Sequence, residues 1–166
     1  MLPPVSLEGG PIVIAYDGSS AARRAVAAVA KLLPSRRTLV VTVWEAALAH
    51  AAAAPKPAAT ATPVVDPSAG LDVDSDLRAS AQRVSDEGAQ LARSLGLDAE
   101  PIATVDASAV ASTIVELARR HDAAAIVVGS RGLSGVRARL EGSTSKDVVK
   151  RAPCPVIVVH DAADND

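Results

Sequence analysis

The chain alternates between short apolar runs and longer segments whose apolar residues recur at helical spacing. Pro11 to Tyr16, Thr38 to Trp44, Ala123 to Val128 and Val156 to Val159 place aliphatic residues on consecutive positions, as strands covered on both faces require. Asp98 to Val105 is predicted as one further strand. Between these runs, Ala21 to Leu33 sets Ala25, Val26, Val29, Leu32 and Leu33 on one helical face, and Pro34 ends it. Asp72, Asp74 and Asp76 suit the start of a helix over Leu77 to Leu95, with Gly96 as its stop. Ala107 to Arg120 carries Val110, Ile114 and Leu117 along one stripe, and Ser143 to Arg151 is predicted as the last helix.

Strands and helices alternate without internal repetition, which predicts an α/β fold: a five-stranded parallel sheet with helices on both faces. Right-handed crossovers and the order 3-2-1-4-5 make strands one and four neighbours where the winding reverses, and ligands of open α/β sheets bind there, at the strands' carboxyl ends. Asp17 ends the first strand and Gly129 the fourth, so two separate signals converge on one crevice. The stretch from Ala46 to Gly70 is rich in Ala and Pro, and Pro55, Pro57, Pro63 and Pro67 oppose any long regular element. Residues 1–166 therefore read as a single domain with a flexible insertion at about 46–74.

Composition narrows the picture. With 166 residues, 49% of them apolar, but one Trp, one Tyr and no Phe, the core must be built from Val, Ile, Leu and Ala. The net charge of −2 comes without any massed basic run, so nucleic acid is not expected as a partner. The single cysteine excludes an internal disulfide; Cys154, between Pro153 and Pro155, is expected to pack as a small apolar residue rather than to react. Met1 to Pro4 lacks the basic start and apolar run of a secretory signal, and Ala46 to Ala54 is too short and too weakly apolar to span a bilayer. A cytoplasmic protein without membrane contact is the expectation.

The chemistry concentrates between the fourth strand and the last helix. Gly129 and Gly132 can adopt positive φ and put no Cβ in the way of a ligand, so backbone can approach an anion closely. Gly142 and Ser143 precede a helix whose first amides lack intrahelical partners and carry the positive end of its dipole, a ready seat for a phosphate. Ser143, Thr144 and Ser145 add hydroxyls; Arg131, between the glycines, is preferred over Lys146 as the charged contact. Each part has an ordinary alternative: a tight turn at Gly129 and Gly132, a plain helix cap at Gly142-Ser143, and a turn residue at Asp17. Tyr16 and Trp44 invite stacking, but packing is the preferred reading for both. Neither a P-loop, a dinucleotide G-x-G-x-x-G nor a G-x-S-x-G elbow is present, and His50, His121 and His160 lack zinc-site spacing.

The spacing G-x2-G-x9-G-S, here Gly129, Gly132, Gly142 and Ser143, resembles the nucleotide-binding signature of the universal stress protein family in its ATP-binding branch. The resemblance runs from Ile12-Val13-Ile14-Ala15-Tyr16-Asp17-Gly18-Ser19 to Ala152-Pro153-Cys154-Pro155-Val156-Ile157-Val158-Val159, and fails from about Ala46 to Asp74. It implies that Asp17 sits beside the adenosine with Ala15 lining the same pocket. It also implies that Val43 and Val128 line the adenine site, that Leu133 to Glu141 passes over the phosphates, and that Val156 to Val159 pairs with its copy in a homodimer. The function so implied is a regulatory module of stress response that holds ATP with Mg²⁺ on its phosphates. No catalytic base is evident, so hydrolysis is expected to be slow at most. Two alternatives stay open: a homodimeric interaction module that acts without nucleotide, and a small ATP-using enzyme. A phosphorylatable receiver is disfavoured, because Asp17 is followed by Gly-Ser-Ser rather than by acids.

Overall fold

The computed structural model describes residues 9–34, 36–46, 67–106, 109–130 and 143–160. The elements run β1 (Ile12–Ala15), α1 (Ser20–Leu32), β2 (Thr38–Glu45), α2 (Pro67–Ser94), β3 (Ala99–Asp106), α3 (Val110–Arg120), β4 (Ala125–Gly129), α4 (Ser143–Arg151) and β5 (Val156–Val159). The strands form one sheet in the order β3-β2-β1-β4-β5, and every pair is parallel, as the alternation of elements requires. Ile12 is aligned with Thr38 on one side and with Ala125 on the other, so β1 is the centre of the sheet. All four of its residues are buried, which explains why it reads as an unbroken apolar run.

Strand alternation sorts the core into two layers. Ile12, Ile14, Tyr16, Val40 and Val127 face α1 and α2, meeting Ala22, Ala25, Val26, Val29, Ala89 and Ala92. Val13, Ala15, Leu39, Val41, Ile126 and Val128 face α3 and α4, meeting Ala111, Ile114, Ala118 and Val148. Each fully buried Val or Ile contributes roughly 1.5–3 kcal/mol relative to exposure. The small helix residues bring the helices near the sheet. At Gly88 of α2 even a Cβ would lie 2.7 Å from Cδ1 of Tyr16 and 2.8 Å from Cγ1 of Val40.

The structure moves three predicted boundaries. Helix α2 begins at Pro67 rather than Leu77, because a proline in the first turn needs no amide partner and its fixed φ already suits a helix. The part of the Ala/Pro-rich stretch from Pro67 onward is thus helical, while 47–66 lie outside the described residues. Helix α3 begins at Val110, with Ala109 at its N-cap making no side-chain capping bond. Strand β4 starts at Ala125 and extends through Gly129.

Candidate functional site

The carboxyl end of β1 is built to turn the chain abruptly into α1. The Tyr16 amide donates to the Val41 carbonyl at 2.8 Å, and the Thr42 hydroxyl donates to the Tyr16 carbonyl at 2.8 Å, so the ladder ends at the residue before Asp17. Asp17 Oδ1 accepts the Ser19 amide at 3.0 Å, Gly18 takes the left-handed conformation with φ +77, and Ser19 Oγ accepts the Ala22 amide as N-cap of α1. Arg23 braces this turn. Its Nε donates to the Gly18 carbonyl at 3.3 Å and its NH2 nitrogen lies 2.6 Å from Oε1 of Glu87 on α2.

The same Glu87 oxygen accepts the Tyr16 hydroxyl at 3.2 Å. The Tyr16 ring is fully buried, so packing, the preferred sequence reading, is its place in the structure. Burial, followed by the Glu87 charge, pushes the phenol up to about 12, with the hydrogen bond to Glu87 adding to the rise and Arg23 opposing it.

At the neighbouring strand end, Gly129 is a strand residue and not a left-handed turn. A Cβ there would sit 2.9 Å from the Cβ of Ala21 and 3.1 Å from its carbonyl carbon, so the missing side chain admits the first turn of α1. This corrects the expectation of positive φ. Beyond it, the Ser130 amide donates to the Val159 carbonyl at 2.8 Å, and the Ser145 hydroxyl donates to the Gly129 carbonyl at 3.0 Å. Ser145 is buried in the first turn of α4, so the start of that helix is tethered to the end of β4.

Of the predicted site residues, the structure brings Ala15, Val43 and Val128 into the one apolar layer on the α3 and α4 face. Asp17 stands in the adjoining turn, Gly129 at the end of β4, and Thr144, half-buried, beside Ser145. Ser143 is the first residue of α4, and its side chain is not described. Arg131, Gly132, Gly142 and the span 133–141 lie outside the described residues. Trp44 is half-buried near the end of β2, and Lys146 is exposed on α4. Among the described residues no group of three or more His, Cys, Asp or Glu could hold a metal ion, and no helix is long and apolar enough to cross a membrane. Cys154 is half-buried against the same apolar layer, and burial pushes its thiol up, away from the reactive thiolate.

One polar group near the crevice is not among the residues the sequence singles out. Ser130 is 3% exposed, and its hydroxyl has no hydrogen-bond partner among the described residues. A serine between Gly129 and Arg131 looks like a turn residue. The available signal is its parity, two positions after the buried Val128.

The profile described as the Universal stress protein family matches residues 10–160. A protein of Thermus aquaticus described as "Universal stress protein in QAH/OAS sulfhydrylase 3'region" is 32% identical over 151 residues, covering 89% of this chain and 96% of its own length. Among solved structures, the universal stress protein from Archaeoglobus fulgidus in complex with dAMP superposes with a TM-score of 0.60 at 26% identity, covering 91% of this chain and 98% of that one. A universal stress protein in complex with cAMP gives a TM-score of 0.58 at 25% identity, with 91% and 97% covered.

Proposed function

Because the chain belongs to the universal stress protein family, we propose that the crevice between the carboxyl ends of β1 and β4 binds an adenine nucleotide, ATP in its full form, and that occupancy makes the protein a regulatory module of stress response. The observation that carries this reading is the Ser145 tether, which holds the N-terminus of α4 against the end of β4, next to the strand that delivers Asp17. Amides without intrahelical partners and the positive helix end are thereby presented where an oxyanion fits. The dAMP and cAMP complexes of similar chains support an adenine nucleotide as the ligand class.

In this reading Ala15, Val43 and Val128 form the apolar wall for the base, and the Asp17 oxygen not engaged by Ser19 accepts a ribose hydroxyl. Gly129, Gly132, Gly142, Ser143, Thr144 and Arg131 surround the phosphates. A magnesium ion would be carried by the phosphate oxygens, whose charge it would screen, since the described residues offer no carboxylate cluster for it. Asp17 is committed to the α1 turn, and hydroxyls and amides face the phosphates in place of a base, so the chemistry favours holding the nucleotide over turning it over. The edge strand β5 is proposed to pair with its copy in a homodimer.

The test is to denature freshly purified protein, identify any released nucleotide, and repeat with Asp17→Ala and Gly132→Val. Added ATP at about 100 Kd should stabilise the wild type by roughly 2.7 kcal/mol, read as a rise in Tm, and both variants should lose most of it. A wild type that neither carries nor responds to nucleotide would instead favour the interaction module that works through protein contacts alone.

A further inference from the structure

Buried polar groups are almost always hydrogen-bonded, and one that is not calls for a physical explanation, commonly a ligand or an ion that completes it. The Ser130 hydroxyl is such a group: the residue is 3% exposed and its oxygen has no partner among the described residues. Its backbone is fixed, because its amide continues the β4–β5 ladder to the Val159 carbonyl at 2.8 Å. Continuing the strand alternation past Val128, which faces α3 and α4, and Gly129, which faces Ala21 of α1, places Ser130 on the α3 and α4 side. That is the face carrying Ala15, Val43 and Val128. The preceding carbonyl, that of Gly129, is the one that receives the Ser145 hydroxyl from the first turn of α4.

A buried hydroxyl without an acceptor costs free energy in the empty protein, and it is the kind of donor a charged phosphate oxygen rewards most. We infer that Ser130 is a ligand residue of the site, its hydroxyl donating to a phosphate oxygen of the bound nucleotide while the amides at the start of α4 hold the same group. The inference rests on the nucleotide reading above and adds to it a donor from the residue directly after β4. A residue whose backbone is already held by a sheet hydrogen bond loses little further entropy when its hydroxyl binds.

The consequence is a pair of effects with opposite directions. Ser130→Ala removes an unsatisfied buried oxygen from the empty protein and a ligand contact from the occupied one. Thermal unfolding without nucleotide should therefore show the variant at least as stable as wild type. Calorimetric titration should show AMP and ATP binding weakened by about tenfold, with adenosine unaffected. A loss of stability in the empty variant would overturn the inference, since the hydroxyl would then be bonded within the protein. Unchanged affinity for AMP and ATP, or an equal loss for adenosine, would overturn it too. If wild type binds no adenine nucleotide, the reading of the previous section fails, and titration with inorganic pyrophosphate decides Ser130 separately. Pyrophosphate stabilising wild type more than Ser130→Ala upholds the donor; equal effects, or none, dismiss it.

Discussion

Tyr16 shows how a single side chain records the packing around it. Its ring fills the space left by Gly88 of α2, its carbonyl ends the β1 ladder, and its hydroxyl reaches Glu87, which is also the ion-pair partner of Arg23. Because it is the chain's one tyrosine, ultraviolet absorbance reports its ionisation without interference. The folded phenol should titrate near 12, whereas an unfolded tyrosine titrates near 10. The raised value favours the protonated form in the folded state, so the contribution is fully present below about pH 10 and is lost as pH rises towards about 12, at about 1.4 kcal/mol per pH unit. Urea unfolding of wild type and Tyr16→Phe at pH 9 and at about pH 11 isolates this term, because the phenylalanine variant lacks the ionisation while keeping the other alkaline groups. Equal alkaline losses in the two proteins would rule it out. Gly129 carries a related lesson. Its role is to let Ala21 approach, a contact made across the chain that no local reading of a glycine loop could show.

At the scale of elements, the join between β4 and α4 depends on one hydroxyl, and its deletion has a signature unlike that expected for Ser130. Ser145→Ala removes a satisfied, buried bond to the Gly129 carbonyl, so the empty protein should lose about 1 kcal/mol of stability in denaturant unfolding, and nucleotide affinity should fall with it. Unchanged stability would mean that α4 is held by Val148 and its apolar neighbours alone. The sheet order followed from right-handed crossovers in an alternating α/β chain, and α1 and β5 were legible in the sequence, because an unbroken aliphatic run and a helical stripe from Ala25 to Val29 are local signals. The start of α2 was not. Pro67 is compatible with both a breaker and a first turn, and residue type alone does not choose between them. In the candidate site, Ala15, Val43 and Val128 were named from the family resemblance, and strand parity is the physical reason they share one face in the structure. Ser130 escaped notice because burial, and not residue type, is what makes its hydroxyl unusual.

The whole molecule presents an asymmetry between its two sheet edges. At β3 the outer strand carries Glu100, in an ion pair with Arg37, along an eight-residue span. At β5 four aliphatic residues in a row, all only half-buried, form the other edge. The carbonyls of Pro155 and Val159 accept the amides of Ile126 in β4 and of Ser130 just past it, so by parity the amides and carbonyls of Val156 and Val158 point away from the sheet. Beside them a shallow cavity of about 280 Å³ is lined by Ser145, Lys146, Val149, Lys150, Val158 and His160, with Val149 52% exposed. An apolar edge with outward-pointing backbone groups is a template for another strand, and a two-fold copy of itself satisfies both sides at once. Light scattering at micromolar concentration should give the mass of a dimer. Val158→Pro deletes an outward amide and leaves the bonds to β4 intact, since proline is tolerated on the solvent side of an edge strand. The variant should run as a monomer with unchanged Trp44 fluorescence, whereas a wild type that is monomeric, or a variant that still dimerises, would show that β5 is not the contact. Because Ser130 is bonded to Val159 of this same strand, a dimer formed here would place its seam one strand away from the proposed phosphate site. Nucleotide occupancy would then be sensed at the seam through β4, and the dimer's dissociation constant should change when ATP is added to wild type, with Ser130→Ala needing about tenfold more ATP for the same change.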